Sequence, residues 1–270
     1  TGVNEDVLAY KLMGEWNPAS ISFEDLVLNE KEQDNLSRPY PFYLAYAIEG
    51  TPQDLGNVND WSAEHKWDGI RSQTIIRNNE MFVESFLGII PNGTVIDGEI
   101  LPWINDGIGS FNDLQTRIGR KVVTPALLKK TPVIIRAYDL LEWEGKDLRS
   151  LPYTQRRELL EQLYSNVAQY QLPLQLSERI QLSNWDEALH EKAKARDLRS
   201  EGLMFKRNDS AYGVGRKKGD WWKWKLDPFS IDAVLTYAMR GSGRRANLFT
   251  DYTFALWQTN DDGTKELVTF

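Results

Sequence analysis

An α+β fold built on antiparallel sheets is what this sequence predicts, and three observations carry the prediction. Short β-rich runs recur at residues 70–77, 94–100, 133–141, 203–206, 221–226 and 231–239, rich in the β-branched and aromatic residues that suit a pleated surface. Two helical stretches interrupt them. After Asp227-Pro228 the pattern turns to strands only, including 248–258.

Each element has a local reason. The first helix is expected to start with Thr154 as N-cap, because Leu159, Leu160, Leu163 and Val167 then form one apolar stripe. The second is expected to start at Ser183, with Asp186 at capping-box spacing, and to run through Ala188 and Leu189 towards Arg196. Arg38-Pro39-Tyr40-Pro41 restricts the backbone twice and reads as a linker. At 270 residues the chain exceeds one average domain. The divisions are therefore set at 1–38, 39–226 and 227–270, the first a remnant of a neighbouring domain.

Composition narrows the function classes. With 41% hydrophobic and 26% charged residues the chain reads as soluble and globular, and no apolar stretch approaches the ~20 residues that span a bilayer. No membrane partner is expected. There is no cysteine, hence no disulfide or thiolate-zinc site, and no signal pattern opens the sequence, which together suit a cytoplasmic protein; a monomer is expected. A net charge of -7 argues against indiscriminate coating of nucleic acid. The charge is uneven, however. Glu24, Asp25, Glu30, Glu32 and Asp34 crowd the opening third, whereas Lys206, Arg207, Arg216, Lys217, Lys218, Lys223 and Lys225 outnumber Asp209 and Asp220 in a later strip. A local basic strip on an acidic protein suits a phosphate-bearing ligand held in one place.

The strongest chemical signal is Glu64-His65-Lys66-Trp67-Asp68-Gly69-Ile70-Arg71, read as a loop just before a strand. A lysine amine attacks phosphorus only when neutral, and near neutral pH roughly one in a thousand or fewer is. Neighbouring cations or a metal, with partial desolvation, raise that fraction. Asp68 can orient the amine, Gly69 can let the backbone approach a ligand, and Arg71 can fork onto ribose or phosphate oxygens. Further along, Asp97-Gly98-Glu99 sets one carboxylate on each side of a glycine, and Tyr138 can stack on a base. Glu201 sits at a strand start. Trp222-Lys223-Trp224-Lys225 alternates, so both lysines should face a ligand and both indoles the core.

Taken in order, Lys66-x-Asp-Gly-x-Arg, Asp97-Gly-Glu, Tyr138-Asp, Glu201-Gly-Leu-Met-Phe-Lys and Lys223-x-Lys resemble motifs I, III, IIIa, IV and V of the covalent nucleotidyltransferases, which comprise DNA ligases, RNA ligases and mRNA capping enzymes. The wording around them, as in Arg117-Ile-Gly-Arg120, Gly145-Lys-Asp-Leu148 and Tyr212-Gly-Val-Gly-Arg-Lys-Lys, is most similar to ATP-dependent DNA ligases. The resemblance covers about residues 39–270. It implies a nucleotidyltransferase (adenylation) domain of antiparallel sheets flanked by helices, followed by the start of an OB-fold β-barrel, with 1–38 left from an N-terminal DNA-binding domain.

The resemblance also implies roles. Lys66 is the nucleophile that attacks the α-phosphate of ATP. Glu64, Arg71, Glu99, Tyr138, Lys217, Lys223 and Lys225 bind the nucleotide: Glu64 at the adenine, Arg71 and Glu99 at the ribose, Tyr138 stacked on the base, Lys223 and Lys225 on the α-phosphate. Glu201, with Glu99 through water, holds Mg²⁺ (or Mn²⁺). The partner is nicked double-stranded DNA. Three departures accompany the match: residues 83–87 lack the arginine of a short element that the family has there, the opening 38 residues are fewer than the N-terminal DNA-binding domain of larger ligases, and the family's motif VI is not found.

Overall fold

In the computed structural model, residues 17–27, 39–77, 86–118, 120, 122–227 and 230–269 are described. Two compact units result, residues Thr1–Leu226 and Asp227–Phe270. Most of the expected N-terminal remnant, Arg38 and residues 83–85 lie outside the described residues. What is described at the start is a short helix, α1 (Phe23–Val27).

The first unit holds two main sheets. One is assembled from β2 (Tyr46–Ala47), β3 (Trp61–Trp67), β10 (Arg179–Ile180), β11 (Ser200–Arg207) and β13 (Trp221–Lys225), in the order β10-β3-β11-β13-β2. The other runs β4-β5-β7-β8, from β4 (Ile70–Ile76), β5 (Thr94–Ile104), β7 (Val133–Trp143) and β8 (Lys146–Asp147), with β6 (Gly107–Ile108) on β5 and β9 (Leu174–Leu176) on β7. A small pair joins β1 (Tyr43–Leu44) to β12 (Gly215–Arg216). The pairing is mostly antiparallel, as expected, but β1–β12, β2–β13 and β7–β9 are parallel. Each parallel partner is an edge strand of two or three residues, reached by a long connection rather than a hairpin.

Each sheet has its own core. Ile96, Ile135, Ala137 and Leu140 of the second sheet pack on α4 (Tyr153–Val167) through Leu160, Leu163 and Val167. Ala63, Leu203, Phe205 and Trp224 of the first pack on α5 (Trp185–Lys194) through Trp185 and Ala188. A third cluster, Tyr43, Val95, Leu141, Tyr212 and Trp221, links the two sheets.

Several sequence expectations shift. The helix expected to start from Thr154 as N-cap has Pro152 at that position instead, with no side-chain cap. Thr154 instead bonds the Asn208 carbonyl. The second helix caps one residue late, on Asn184, whose side chain accepts from the Glu187 amide. Two short helices, α2 (Phe111–Gln115) and α3 (Pro125–Lys130), were not expected, although a Ser110–Asp113 capping box and Thr124-Pro125 mark their starts. The segment read as a linker is docked: the Tyr40 backbone exchanges hydrogen bonds with the Gln73 side chain at 2.6 and 2.9 Å.

The second unit is an open antiparallel sheet of β14 (Val234–Arg240), β15 (Phe249–Thr259) and β16 (Lys265–Thr269). Among the described residues it closes no barrel.

One buried ion pair ties α4 to the second sheet. Arg156 donates to both oxygens of Asp139, at 2.8 and 2.9 Å, and neither side chain is exposed. Removing one partner strands the other charge in the interior, which costs about 3–5 kcal/mol. Arg156→Met is therefore expected to lower the urea-unfolding free energy by about that amount; a loss below about 1 kcal/mol would mean that water reaches Asp139.

Candidate active site

Register on the first sheet decides what faces the cleft. Glu64 of β3 pairs with Met204 of β11, which pairs with Lys223 of β13, and the row beside it is Ser62, Lys206 and Trp221. Period two sends these residues to one face, while Ala63, His65, Leu203, Phe205, Trp222 and Trp224 turn to the other, where the core lies. The lysine–tryptophan alternation thus does what its spacing predicts. Lys66 comes next along β3, opposite a bulge between Ser200 and Leu203. Gly202 makes the bulge possible: its φ is 132°, and a Cβ there would lie 2.2 Å from the Trp224 carbonyl oxygen.

The bulge sets Glu201 against Lys66. Lys66 Nζ is 2.5 Å from Glu201 Oε2, and Lys225 Nζ is 3.0 Å from the same oxygen. Burial raises the Glu201 carboxyl, but hydrogen bonds and charge from Lys66 and Lys225 outweigh it and hold the group below the ordinary carboxylate range. Burial pushes Lys223 down, helped by Lys225, Arg216 and Lys66. Asp68 is raised by burial and then by the Glu201 charge.

The second sheet supplies the facing wall. Lys66 belongs to a strand rather than the expected loop, and the Asp68-Gly69 turn passes the chain from one sheet to the other. Gly69 is needed there for a reason other than ligand approach, since a Cβ would lie 2.3 Å from the Ile100 carbonyl oxygen. Beyond the turn, Arg71 of β4 sits opposite Glu99 of β5. The Arg71 fork is already occupied: it donates to Asp97 at 2.7 and 3.3 Å, to the Tyr43 carbonyl at 2.7 Å and to the Tyr212 hydroxyl at 3.1 Å. Glu99 is pushed up to about 7, first by burial, with Lys66 and Arg71 opposing and Asp97 and Glu201 adding to the rise. Tyr138 of β7 donates its hydroxyl to the Gly98 carbonyl at 3.3 Å.

Between these walls lies a cavity of about 180 Å³. Among its lining are Glu64, Lys66, Arg71, Glu99, Tyr138 and Lys223 of the predicted set, and Glu201 and Lys225 adjoin it through their ion pairs. Lys217 does not line it. That side chain is exposed just past β12, and its neighbour Arg216 lines the cavity instead, because successive residues in extended chain point to opposite sides.

Sequence reasoning assigned no role to Lys206 or Tyr153. Both engage Glu64: Lys206 Nζ donates to Oε1 at 2.9 Å, and the Tyr153 hydroxyl donates to the same oxygen. Lys206 ends the 201–206 run and alternates in phase with Met204, which was the available signal; Tyr153 comes from a helix far along the chain and left none.

Comparison with known proteins shows the family. Residues 82–225 match the model of the ATP dependent DNA ligase domain. A probable DNA ligase of Koribacter versatilis is 30% identical over 82% of this chain and 44% of its own length, and a DNA ligase of Natronomonas pharaonis is 31% identical over 84% and 43%. The chain thus spans less than half the length of these curated relatives. A solved structure described as mycobacterial DNA ligase D complexed with ATP and MES superposes with a TM-score of 0.54 at 23% identity, covering 84% of this chain and 70% of that one. With more than half of its residues inside the matched domain, the chain belongs to the ATP-dependent DNA ligase domain family.

Proposed function

We propose that this chain is the nucleotidyltransferase core of an ATP-dependent DNA ligase, with Lys66 as the residue that becomes covalently bound to AMP. One observation carries the reading: the Lys66 amine, the Glu201 carboxylate and the Lys225 ammonium converge beside a cavity that Lys223, Arg71, Glu99 and Tyr138 line.

In this reading ATP enters with its base against the Tyr138 ring and its edge at Glu64, Glu99 holds the ribose, and Arg71, its fork engaged by Asp97, Tyr43 and Tyr212, lends positive charge beside it. The Lys66 amine must leave Glu201 and lose a proton before it attacks the α-phosphorus. A nitrogen–phosphorus bond then forms as the bond to the bridging oxygen breaks, pyrophosphate departs, and water takes both the proton lost before attack and the one the bonded nitrogen sheds. Lys223 and Lys225 neutralise the α-phosphate throughout, so the protein contributes mainly position and fixed charge. The AMP next passes to the 5′-phosphate of a nick in double-stranded DNA, and the 3′-hydroxyl displaces it.

Glu201, with Glu99 through water, would hold Mg²⁺ (or Mn²⁺). Among the described residues no three His, Cys, Asp or Glu side chains cluster, and two hard carboxylates fit an ion that keeps several waters and takes phosphate oxygens as further ligands. When bound, such an ion would neutralise charge on those oxygens. We infer further that residues 227–270 are the opening strands of an OB-fold, and that the protein works as a monomer in a cytoplasmic setting, the setting being in keeping with a sequence free of cysteine. No helix among the described residues is long and apolar enough to cross a membrane.

Two measurements test the reading. After incubation with ATP and a divalent ion, mass spectrometry is expected to find one AMP increment on Lys66, none after GTP, and none on Lys66→Ala or Lys66→Arg, because arginine stays protonated. An adduct on either variant would move the nucleophile elsewhere. The second concerns Glu99, raised from 4.5 to about 7. The folded state then binds more protons than the unfolded one across that window, so stability falls as pH rises through it. Glu99→Gln removes this dependence, and its advantage over the native chain is expected to widen by roughly 2–3 kcal/mol between pH 5 and pH 8. An advantage that stays constant with pH, read by urea unfolding, would show Glu99 to titrate normally.

A further inference from the structure

Lys206 takes no part in the steps above, yet its position is the most demanding in the site. The residue is 2% exposed, and a cation so far from water persists only where other groups replace its hydration. Here they do so from every side. Nζ donates to Glu64 Oε1 at 2.9 Å and lies 3.4 Å from the Tyr138 carbonyl oxygen. The ring centroids of Tyr138, Trp221 and Tyr153 stand 4.6, 4.8 and 4.9 Å away, each turning electron-rich density towards the charge.

The same ammonium therefore touches two parts of the cavity wall, the Tyr138 ring and the Glu64 carboxylate. Glu64 is itself 2% exposed. Burial alone would raise its carboxyl, but Lys206 and then Arg157, with hydrogen bonds from Tyr153 and Ser177, hold it below the ordinary range. These partners come from β11, from α4 and from the loop after β9, so the carboxylate is gripped from three elements and has little freedom to turn.

An ionised carboxylate only accepts hydrogen bonds. The 6-position of adenine carries an amine, which donates, whereas that of guanine carries a carbonyl, which accepts. An acceptor-only group at that edge welcomes the first and repels the second. Were the carboxylate to take up a proton or swing aside, the distinction would weaken.

Resting on the reading of the cavity as an adenine-nucleotide site, we propose that Lys206 is a positioning residue which, together with Tyr153, holds Glu64 as an acceptor-only group at the base edge and so sets the preference for a 6-amino over a 6-oxo purine. Lys206 works through Glu64 and touches no reacting atom.

The test is equilibrium binding of AMP and of GMP to the full chain by isothermal titration, which needs no catalytic step. The native chain is expected to favour AMP. Lys206→Met is expected to reduce the AMP-to-GMP affinity ratio about tenfold or more, the scale on which one buried polar contact discriminates between ligands. Lys206→Arg, which keeps the charge, is expected to retain most of the ratio, and Tyr153→Phe to lower it about threefold. Equal weakening of both nucleotides in Lys206→Met, with the ratio intact, would overturn the proposal and leave Lys206 a merely structural residue. If that variant does not fold, an unchanged ratio in Tyr153→Phe overturns it equally. Glu64→Gln separates the two levels of inference. A ratio unaffected by that change, or a native chain that binds neither nucleotide, defeats the underlying reading of the cavity. A ratio that collapses in Glu64→Gln but survives in Lys206→Met defeats only the part assigned to Lys206.

Discussion

A backbone contact too close to admit a side chain holds the site together. At Gly69 the chain leaves the first sheet for the second, and the approach of the Ile100 carbonyl fixes how near the two sheets stand at that corner. Lys66 lies three residues before the contact and Arg71 two residues after it, so a single tight turn spaces an amine on one wall from a guanidinium on the other. A larger residue would have to push β5 away, carrying Glu99 with it. The chemistry of the cleft is in this sense subordinate to the packing of one peptide unit against another.

Three carboxylates at the cleft are paired before any ligand arrives. Glu201 is shared by two lysines, Asp97 is held by Arg71, and Glu64 by Lys206. Such pairing is weak evidence for stability, since the cost of removing both charges from water offsets most of their attraction. Its value lies in orientation, because groups held by several bonds from different strands keep their direction. Glu99 is the exception, a carboxyl that burial pushes up to about 7 with no ion pair of its own among the described residues. A carboxyl raised in this way inside a cleft is a common feature of functional sites.

What could be read from the sequence was whatever depends on near neighbours. Alternation along Trp222-Lys223-Trp224-Lys225 needs only the pleat of a strand, and the helix stripe of Leu160, Leu163 and Val167 only a helical period. Lys66 was read in a loop because Glu64, His65 and Lys66 lack a strand former's composition; the strand exists because β10 and β11 flank it on both sides. The reach of Lys206 and of Tyr153 to Glu64 spans 142 and 89 residues, and no local pattern encodes a meeting at that range. Lys217 and Arg216 differ by a single position, yet which one lines the cavity is set by the register of β12 on β1. The helix start at Pro152 rather than Thr154 has a similar cause, since Tyr153 is drawn inward by the carboxylate it meets.

Arg71 arrives at the cleft with all three of its nitrogens engaged by protein oxygens and its Cζ 4.5 Å from the centre of the Phe42 ring. A long cationic side chain that must be immobilised on binding forfeits roughly 0.5–1.5 kcal/mol of rotamer freedom. Here that freedom was surrendered when the chain folded, so the positive field it projects into the cavity is available to an incoming anion without further ordering.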